Sequence, residues 1–478
     1  MGARAKLAHE LALFNREIKS LKEAVYTSVC PLNAEYIVSH EPTPFDAAKN
    51  ATYRPIEKGG KWGGFFDCGW FRFSAEIPYT ASGKHLAAVI DVDGEGCVYD
   101  DGGAPVQGLT SLTGLDFPRP KGGVGSIAGL ENHMQPIRAK KIVEISPYAE
   151  GGARVNLTVE TSNNGWYGRN KGFARLKRAE LVIVNDEIKD FYYDWATAFL
   201  FYLATDNPTR KKEIYTVLKA AAQAFLTGGE SGLSEGKKLL KEGSDNNGMR
   251  RFTFFATGHA HLDLAWLWPI RETKRKAVRT YTAALKNIEK YPDYIFGSSQ
   301  PQQYEWVKDA HPSVYANIKN AVESGRIEPQ GGMWVEPDTN VPCGESLIRQ
   351  VFYGKRFFAD EFGKDVKVLW LPDVFGFSAQ IPQIVKKTGM EYFLTIKLGW
   401  NEHNPFPLNS FLWEGLDGSR ILAHIPPEGT YNSDAGPIAI DAAFKNNRDK
   451  DRTHVAHLPF GTGDGGGGPG EGELVVLK

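Results

Sequence analysis

A chain of 478 residues exceeds what one ordinary hydrophobic core accommodates, so two or three domains are expected. Its 42% hydrophobic and 24% charged residues are the proportions of a soluble globular protein. A formal net charge of -1 excludes any electrostatic case for a nucleic-acid or acidic-membrane partner.

Along the chain, Ala3, Leu7, Leu11, Phe14, Ile18, Leu21 and Val25 recur at steps of three and four, predicting an amphipathic N-terminal helix assigned to 1–35. That terminus lacks a continuous apolar h-region and already holds Glu10, Glu17 and Glu23, so neither a secretory nor a mitochondrial address is expected. No apolar run approaches the roughly eighteen residues that cross a bilayer. Cys30, Cys68, Cys97 and Cys343 are scattered without metal spacing and read as free thiols of a reducing compartment. From 36 to 186, short apolar runs such as FRFSAEIP and RVNLTVETS alternate with Gly, Pro and Asp, predicting a β-sandwich-like domain. The span 187–248 reads as a helical connector. From 249 to 478, strand-like FTFFAT, YIFGSS, VKVLWLP and YFLTIK alternate with helical stretches, including one around Tyr304 to Ser324, which predicts an α/β domain with a mainly parallel sheet. The fold class is therefore multi-domain α+β.

In parallel α/β sheets ligands gather beyond the carboxyl ends of the strands. His261 and Asp263 follow FTFFAT two residues apart, so extended backbone turns both side chains the same way and lets an imidazole and a carboxylate share a metal ion. Such a pair also occurs as ordinary hydrogen-bonding residues. Asp373 follows VKVLWLP between Pro372 and Phe375-Gly376, in a tightly shaped loop, where it serves either chemistry or as a helix N-cap. Asp464 lies in Gly461-Thr-Gly-Asp-Gly-Gly-Gly-Gly-Pro469, which reads as a linker or as backbone that must approach a ligand closely.

Taken together, His261-Leu-Asp263-Leu-Ala-Trp266-Leu-Trp-Pro269 and Trp370-Leu-Pro-Asp373-Val-Phe-Gly376-Phe-Ser378 resemble the metal and nucleophile segments of glycoside hydrolase family 38 α-mannosidases. Gly331-Gly-Met-Trp-Val-Glu-Pro-Asp338-Thr-Asn340 and Gly344-Glu-Ser-Leu-Ile-Arg-Gln350 are similar to family segments between them, and Glu95-Gly-Cys-Val-Tyr, Pro105-Val-Gln-Gly108 and Asn163-Asn-Gly-Trp-Tyr-Gly168 resemble its cytosolic and vacuolar subgroup. The resemblance implies that 249–478 is an irregular-barrel catalytic domain and that the protein is a retaining hydrolase of terminal α-mannose in free oligosaccharides or N-glycan fragments. It implies Zn²⁺ on His261, Asp263 and Asp373, with a further His later in the family's order. It also implies Asp373 as nucleophile, Asp464 as acid/base, and Trp266, Phe375, Lys397 and Tyr431 as sugar contacts. A cytoplasmic location follows, or a vacuolar one reached without a signal peptide, with the oligomeric state left open.

The resemblance stops at Pro469, so the chain is expected to be truncated, impaired in activity and disordered over its last ten or so residues. Two rivals stand beside the hydrolase: a non-catalytic sugar-binding fragment, and a non-haem iron oxygenase, whose facial triad also uses His-x-Asp. The strand-helix alternation disfavours the oxygenase, which requires a double-stranded β-helix.

Overall fold

The computed structural model describes residues 3–111, 140–164, 172–244, 252–463 and 465–478. Ala3–Val25 is a helix whose stripe of Phe14, Ile18, Leu21 and Val25 is buried. It ends at Val25, and Tyr26–Pro31 already belongs to a sheet. That sheet is antiparallel, in the order Tyr26–Pro31, Arg178–Val184, Leu86–Asp91 and Ile142–Ser146. A six-stranded antiparallel sheet runs Arg54–Pro55, Asn33–Ser39, Cys68–Glu76, Arg154–Ser162, Glu95–Tyr99 and Pro105–Thr110. Their inward side chains, among them Tyr36, Phe71, Phe73, Ile90, Val159 and Leu181, share one core, as two-residue alternation requires.

The connector is helical, Asp186–Ala204 followed by Pro208–Ser244, the latter interrupted by a kink at Gly229, whose φ 56° and ψ -129° are not helical. Pro208 explains the break between the two, since proline suits the first turn of a helix and disfavours helix before it. Phe14 meets Trp195, Phe199 and Tyr202 edge-on here, fastening the first helix to the connector.

In the third region, Ile327–Pro329, Phe296–Ser298, Thr253–His259 and Val455–Phe460 form one wholly parallel sheet. Val368–Trp370, Tyr392–Leu394 and Arg420–His424 form a second parallel set, with Ser410–Glu414 antiparallel at its edge. The strands of this region thus fall into two sheets, with isolated bridges pairing Thr339 with Phe377 and Ser433 with Phe460. The helix expected around Tyr304 to Ser324 is two, Pro301–Ala310 and Pro312–Glu323, because Pro312 starts a new one.

A further expectation is overturned. The last residues are not disordered: Glu471–Leu477 is a helix with Leu474 buried. The Glu473 carboxylate accepts the Gly470 N–H at 2.7 Å, supplying the cap that a glycine-rich approach lacks. Burial pushes the Glu471 carboxyl up, but Lys290 and Lys189, at 2.5 and 3.3 Å, outweigh it and hold it below the usual range. A depressed carboxyl stabilises the docked helix above the unfolded carboxylate value, and this is lost as pH falls through the folded one. Hydrogen exchange should therefore show the 471–477 amides protected near neutral pH and progressively freed as pH falls below about 4.5, with Glu471→Gln lowering protection near neutral pH and matching wild type once Glu471 is protonated. Equal protection of these amides at pH 3 and pH 6, after correction for intrinsic rates, rules this account out.

Candidate functional site

Thr253–His259 delivers His261 and Asp263 two and four residues beyond its end, and Val368–Trp370 delivers Asp373 three beyond. Between the first two, Leu262 turns the other way and is fully buried, so the side-chain alternation holds past the strand itself. One donor atom from each of His261, Asp263 and Asp373 lies within 4.8 Å of the others. His261 Nε2 is 3.5 Å from Asp263 Oδ1 and 3.6 Å from Asp373 Oδ2, too far for good hydrogen bonds, and is buried with no partner. A buried nitrogen left orphaned between two carboxylates is costly unless a cation fills the space, so these residues fit a divalent metal. Among the described residues no fourth donor joins them. His457 bonds Thr257 Oγ1 at 3.0 Å and packs on Trp370, away from this cluster.

On its other side, Asp373 Oδ1 accepts the Tyr431 hydroxyl at 2.9 Å and lies 2.7 Å from Lys397 Nζ. Lys397 also lies over the Trp400 ring, 3.5 Å from its centroid, and Tyr431 packs against the His261 ring. The two oxygens of Asp373 are thereby differentiated, one toward His261 and the other toward a cation and a hydroxyl.

Glu336, which sequence reasoning passed over as a site residue, lies behind His261 with Oε1 3.3 Å from Nδ1. Burial pushes its carboxyl above the usual range, with His261 opposing. For His261, burial works against protonation, yet the Glu336 and Asp263 carboxylates outweigh it and raise its pKa well above the ordinary imidazole value.

His261, Asp263, Glu336 and Asp373 line a cavity of about 300 Å³ whose wall also includes Gln300, Asp338, Asn340 and Phe375, while Lys397 and Tyr431 reach Asp373 from outside that wall. Phe375 is 85% exposed, an aromatic face held out at the rim. Trp266 follows the wall residue Ala265, is half-exposed and meets Trp268 edge-on. Asp464 lies outside the described residues. Its neighbours are packed: Gly463 N–H donates to Asn432 Oδ1 at 2.6 Å, and Gly467 N–H to Thr280 Oγ1 at 2.8 Å. Leu262 bridges Gly465. A Cβ on Gly463 would lie 2.4 Å from Asn432 Oδ1 and 3.0 Å from His261 Cβ, so glycine is required by close backbone approach to the metal-type residues.

Comparison with known proteins finds that residues 251–477 match the Glycosyl hydrolases family 38 N-terminal domain, and residues 30–221 match the jelly roll domain of alpha-mannosidase. The chain is 35% identical over 458 residues to alpha-mannosidase 2C1 of Homo sapiens, covering 93% of this chain and 42% of that protein. Alpha-mannosidase G of Dictyostelium discoideum is 33% identical, with 93% and 40% covered. An alpha-mannosidase of Saccharomyces cerevisiae is 33% identical over 330 residues, with 64% and 30% covered. The chain thus spans about two fifths of the length of the first of these relatives.

Proposed function

Because the chain belongs to glycosyl hydrolase family 38, we propose that it carries the catalytic centre of a zinc-dependent retaining α-mannosidase acting on terminal α-mannose of free oligosaccharides or N-glycan fragments, in the cytosol or vacuole. The observation that carries this is the orphaned His261 Nε2 between Asp263 and Asp373 in the wall of a cavity. His261 Nε2, Asp263 and Asp373 would hold the zinc. When bound there, the ion would engage sugar hydroxyls and offset charge developing on the ring. Asp373 is the nucleophile that attacks the anomeric carbon, and Asp464 the acid that protonates the departing oxygen and later deprotonates water. Tyr431 and Lys397 fix the Asp373 carboxylate by hydrogen bond and charge at Oδ1. Phe375 and Trp266 offer apolar faces to the sugar.

A second reading, sugar binding without turnover, is favoured by the three-donor cluster, to which no described residue adds the family's further His. Three protein donors with an open position are also the usual catalytic zinc arrangement, so turnover is the reading preferred here. The test combines elemental analysis with proton NMR of an aryl α-mannoside digest. About one zinc per chain, lost in Asp263→Ala, and α-mannose as the first product are expected. β-Mannose appearing first rejects the double displacement, iron in place of zinc revives the oxygenase, and stoichiometric zinc with no hydrolysis selects the binding reading.

A further inference from the structure

Sequence motifs and family likeness account for three groups around the cavity but leave Glu336 unexplained. A carboxylate this deeply enclosed is costly unless something compensates it. Its side chain is 7% exposed, its Oε2 is buried without a partner, and Oε1 faces only the Nδ1 edge of His261. Its backbone is held from behind. Gln300 Oε1 accepts the Glu336 N–H at 3.1 Å, while Gln300 Nε2 donates to the carbonyl of Leu262, the residue between the two metal-type ligands, at 2.9 Å. Gln303 Nε2 reaches the same carbonyl at 3.3 Å. Gln350 adds a second tie, its Oε1 accepting the neighbouring Val335 N–H at 3.0 Å. To make both of its bonds, Gln300 adopts φ 65°, ψ 85°, a left-handed conformation that a residue with a Cβ rarely takes. Strain of this kind persists only where the surroundings impose it, and it gathers at functional sites.

We propose that Glu336 is a positioning residue for His261, and that Gln300 is the brace that keeps Glu336 and the His261-Leu262-Asp263 backbone in register. This rests on the metal reading of the site. The chemistry is that of an imidazole whose two nitrogens do different work. A carboxylate accepting from Nδ1–H fixes the tautomer with its lone pair on Nε2, sets the ring's plane and raises its basicity toward a cation. Nε2 then faces Asp263 and Asp373, where its lone pair completes the donor set. The Gln300 side chain spans both halves of this arrangement, so a shift of the Trp334–Glu336 segment and a shift of the His261–Asp263 segment are mechanically coupled through one amide.

The test is a zinc dissociation constant measured by chelator competition on the 478-residue chain, with thermal unfolding of the metal-free protein alongside. Glu336→Gln keeps the shape but replaces the anionic acceptor, and is expected to weaken zinc binding roughly 10- to 100-fold while the metal-free protein unfolds no earlier than wild type, because a buried charge has gone. Gln300→Gly keeps the backbone conformation and deletes the brace without altering charge, and a several-fold weaker zinc affinity is expected. It stands as the independent variant should Glu336→Gln fail to fold. Zinc affinity within about twofold of wild type in the folded variants overturns the proposal. So does a loss of affinity strictly matched by a loss of metal-free stability, which denotes packing alone. Unchanged zinc binding with a raised KM would make Glu336 a sugar contact instead. A wild-type chain that takes up no zinc removes the metal reading and this inference together, whereas normal wild-type zinc with indifferent variants removes only the inference.

Discussion

Asp373→Asn is expected to lower kcat on an aryl α-mannoside by at least about 10³-fold, the scale seen when a nucleophile is removed from an otherwise intact site. The substitution is nearly isosteric, so the Val368–Trp370 strand end and the cavity wall should keep their shape. What goes is the charge and, on the proposed mechanism, the capacity to form a glycosyl-enzyme bond. The neighbours make the change more severe. Oδ1 receives both the Tyr431 hydroxyl and the Lys397 ammonium, and a neutral amide cannot present an acceptor there and another toward His261 at once. Either the Lys397 contact or the face toward the metal-type cluster loses its acceptor. Where zinc is retained, substrate affinity should change far less than kcat, because the proposed sugar contacts, Phe375 and Trp266, are untouched. The measurement is kcat and KM for wild type and variant, with zinc content checked in each. A variant retaining more than a tenth of wild-type kcat would remove Asp373 from the nucleophile role.

Those parts of the site governed by short-range periodicity are legible in the sequence. His261 and Asp263 share a side because extended backbone alternates, and Asp373 stands where a buried strand meets the mouth of the sheet. The antiparallel sandwich and the parallel region were equally legible, from the spacing of apolar runs and the order of strand and helix. Glu336 stood in plain view within Trp334-Val-Glu-Pro, but nothing local tells a buried carboxylate behind a histidine from an exposed one. Gln300 is harder still, since its positive φ comes from two tertiary hydrogen bonds and not from its own preference. The C-terminal helix was missed because its cap comes from Glu473, three residues inside it, while the glycines before it suggested a frayed end. Glu272, Arg275, Lys276 and Arg279 have the spacing of a solvated helix face with i,i+3 and i,i+4 charge pairs. In the structure that face is buried against the sandwich, and its partners come from sequence more than a hundred residues away.

The last consequence concerns that buried face. Glu95 of the sandwich accepts from Lys276 Nζ at 2.7 Å, Arg279 Nη1 at 2.9 Å and Asn164 Nδ2 at 2.9 Å, all out of water. Glu160 takes the other arm of Arg279 at 3.0 Å, and Ser162 donates to Glu272 at 2.7 Å. The helix that carries these cations, Ile270–Lys290, begins directly after the His261–Pro269 segment, so the sandwich grips the element that leads out of the site. Removing one partner of a buried pair strands the other, at about 3–5 kcal/mol. Glu95→Ala removes the one carboxylate that Lys276 hydrogen-bonds and leaves its ammonium only the Trp268 ring, 4.7 Å from the centroid, whereas Arg279 keeps Glu160, so most of the cost should fall on Lys276. Pairing Glu95→Leu with Lys276→Met should recover much of the loss, since two apolar side chains need no compensation. The effect should also reach the glycine-rich segment near the site, because Lys276 Nζ lies 3.1 Å from where a Cβ on Gly465 would stand, and Lys140 of the sandwich donates to the Gly468 carbonyl at 2.8 Å. Urea unfolding of the three proteins measures the first effect, and hydrogen exchange of the 461–468 amides measures the second. If Glu95→Ala costs less than about 1 kcal/mol, the level of an exposed ion pair, or the double variant is no more stable than the single one, the charges at this interface are solvated and the sandwich does not hold that segment in place.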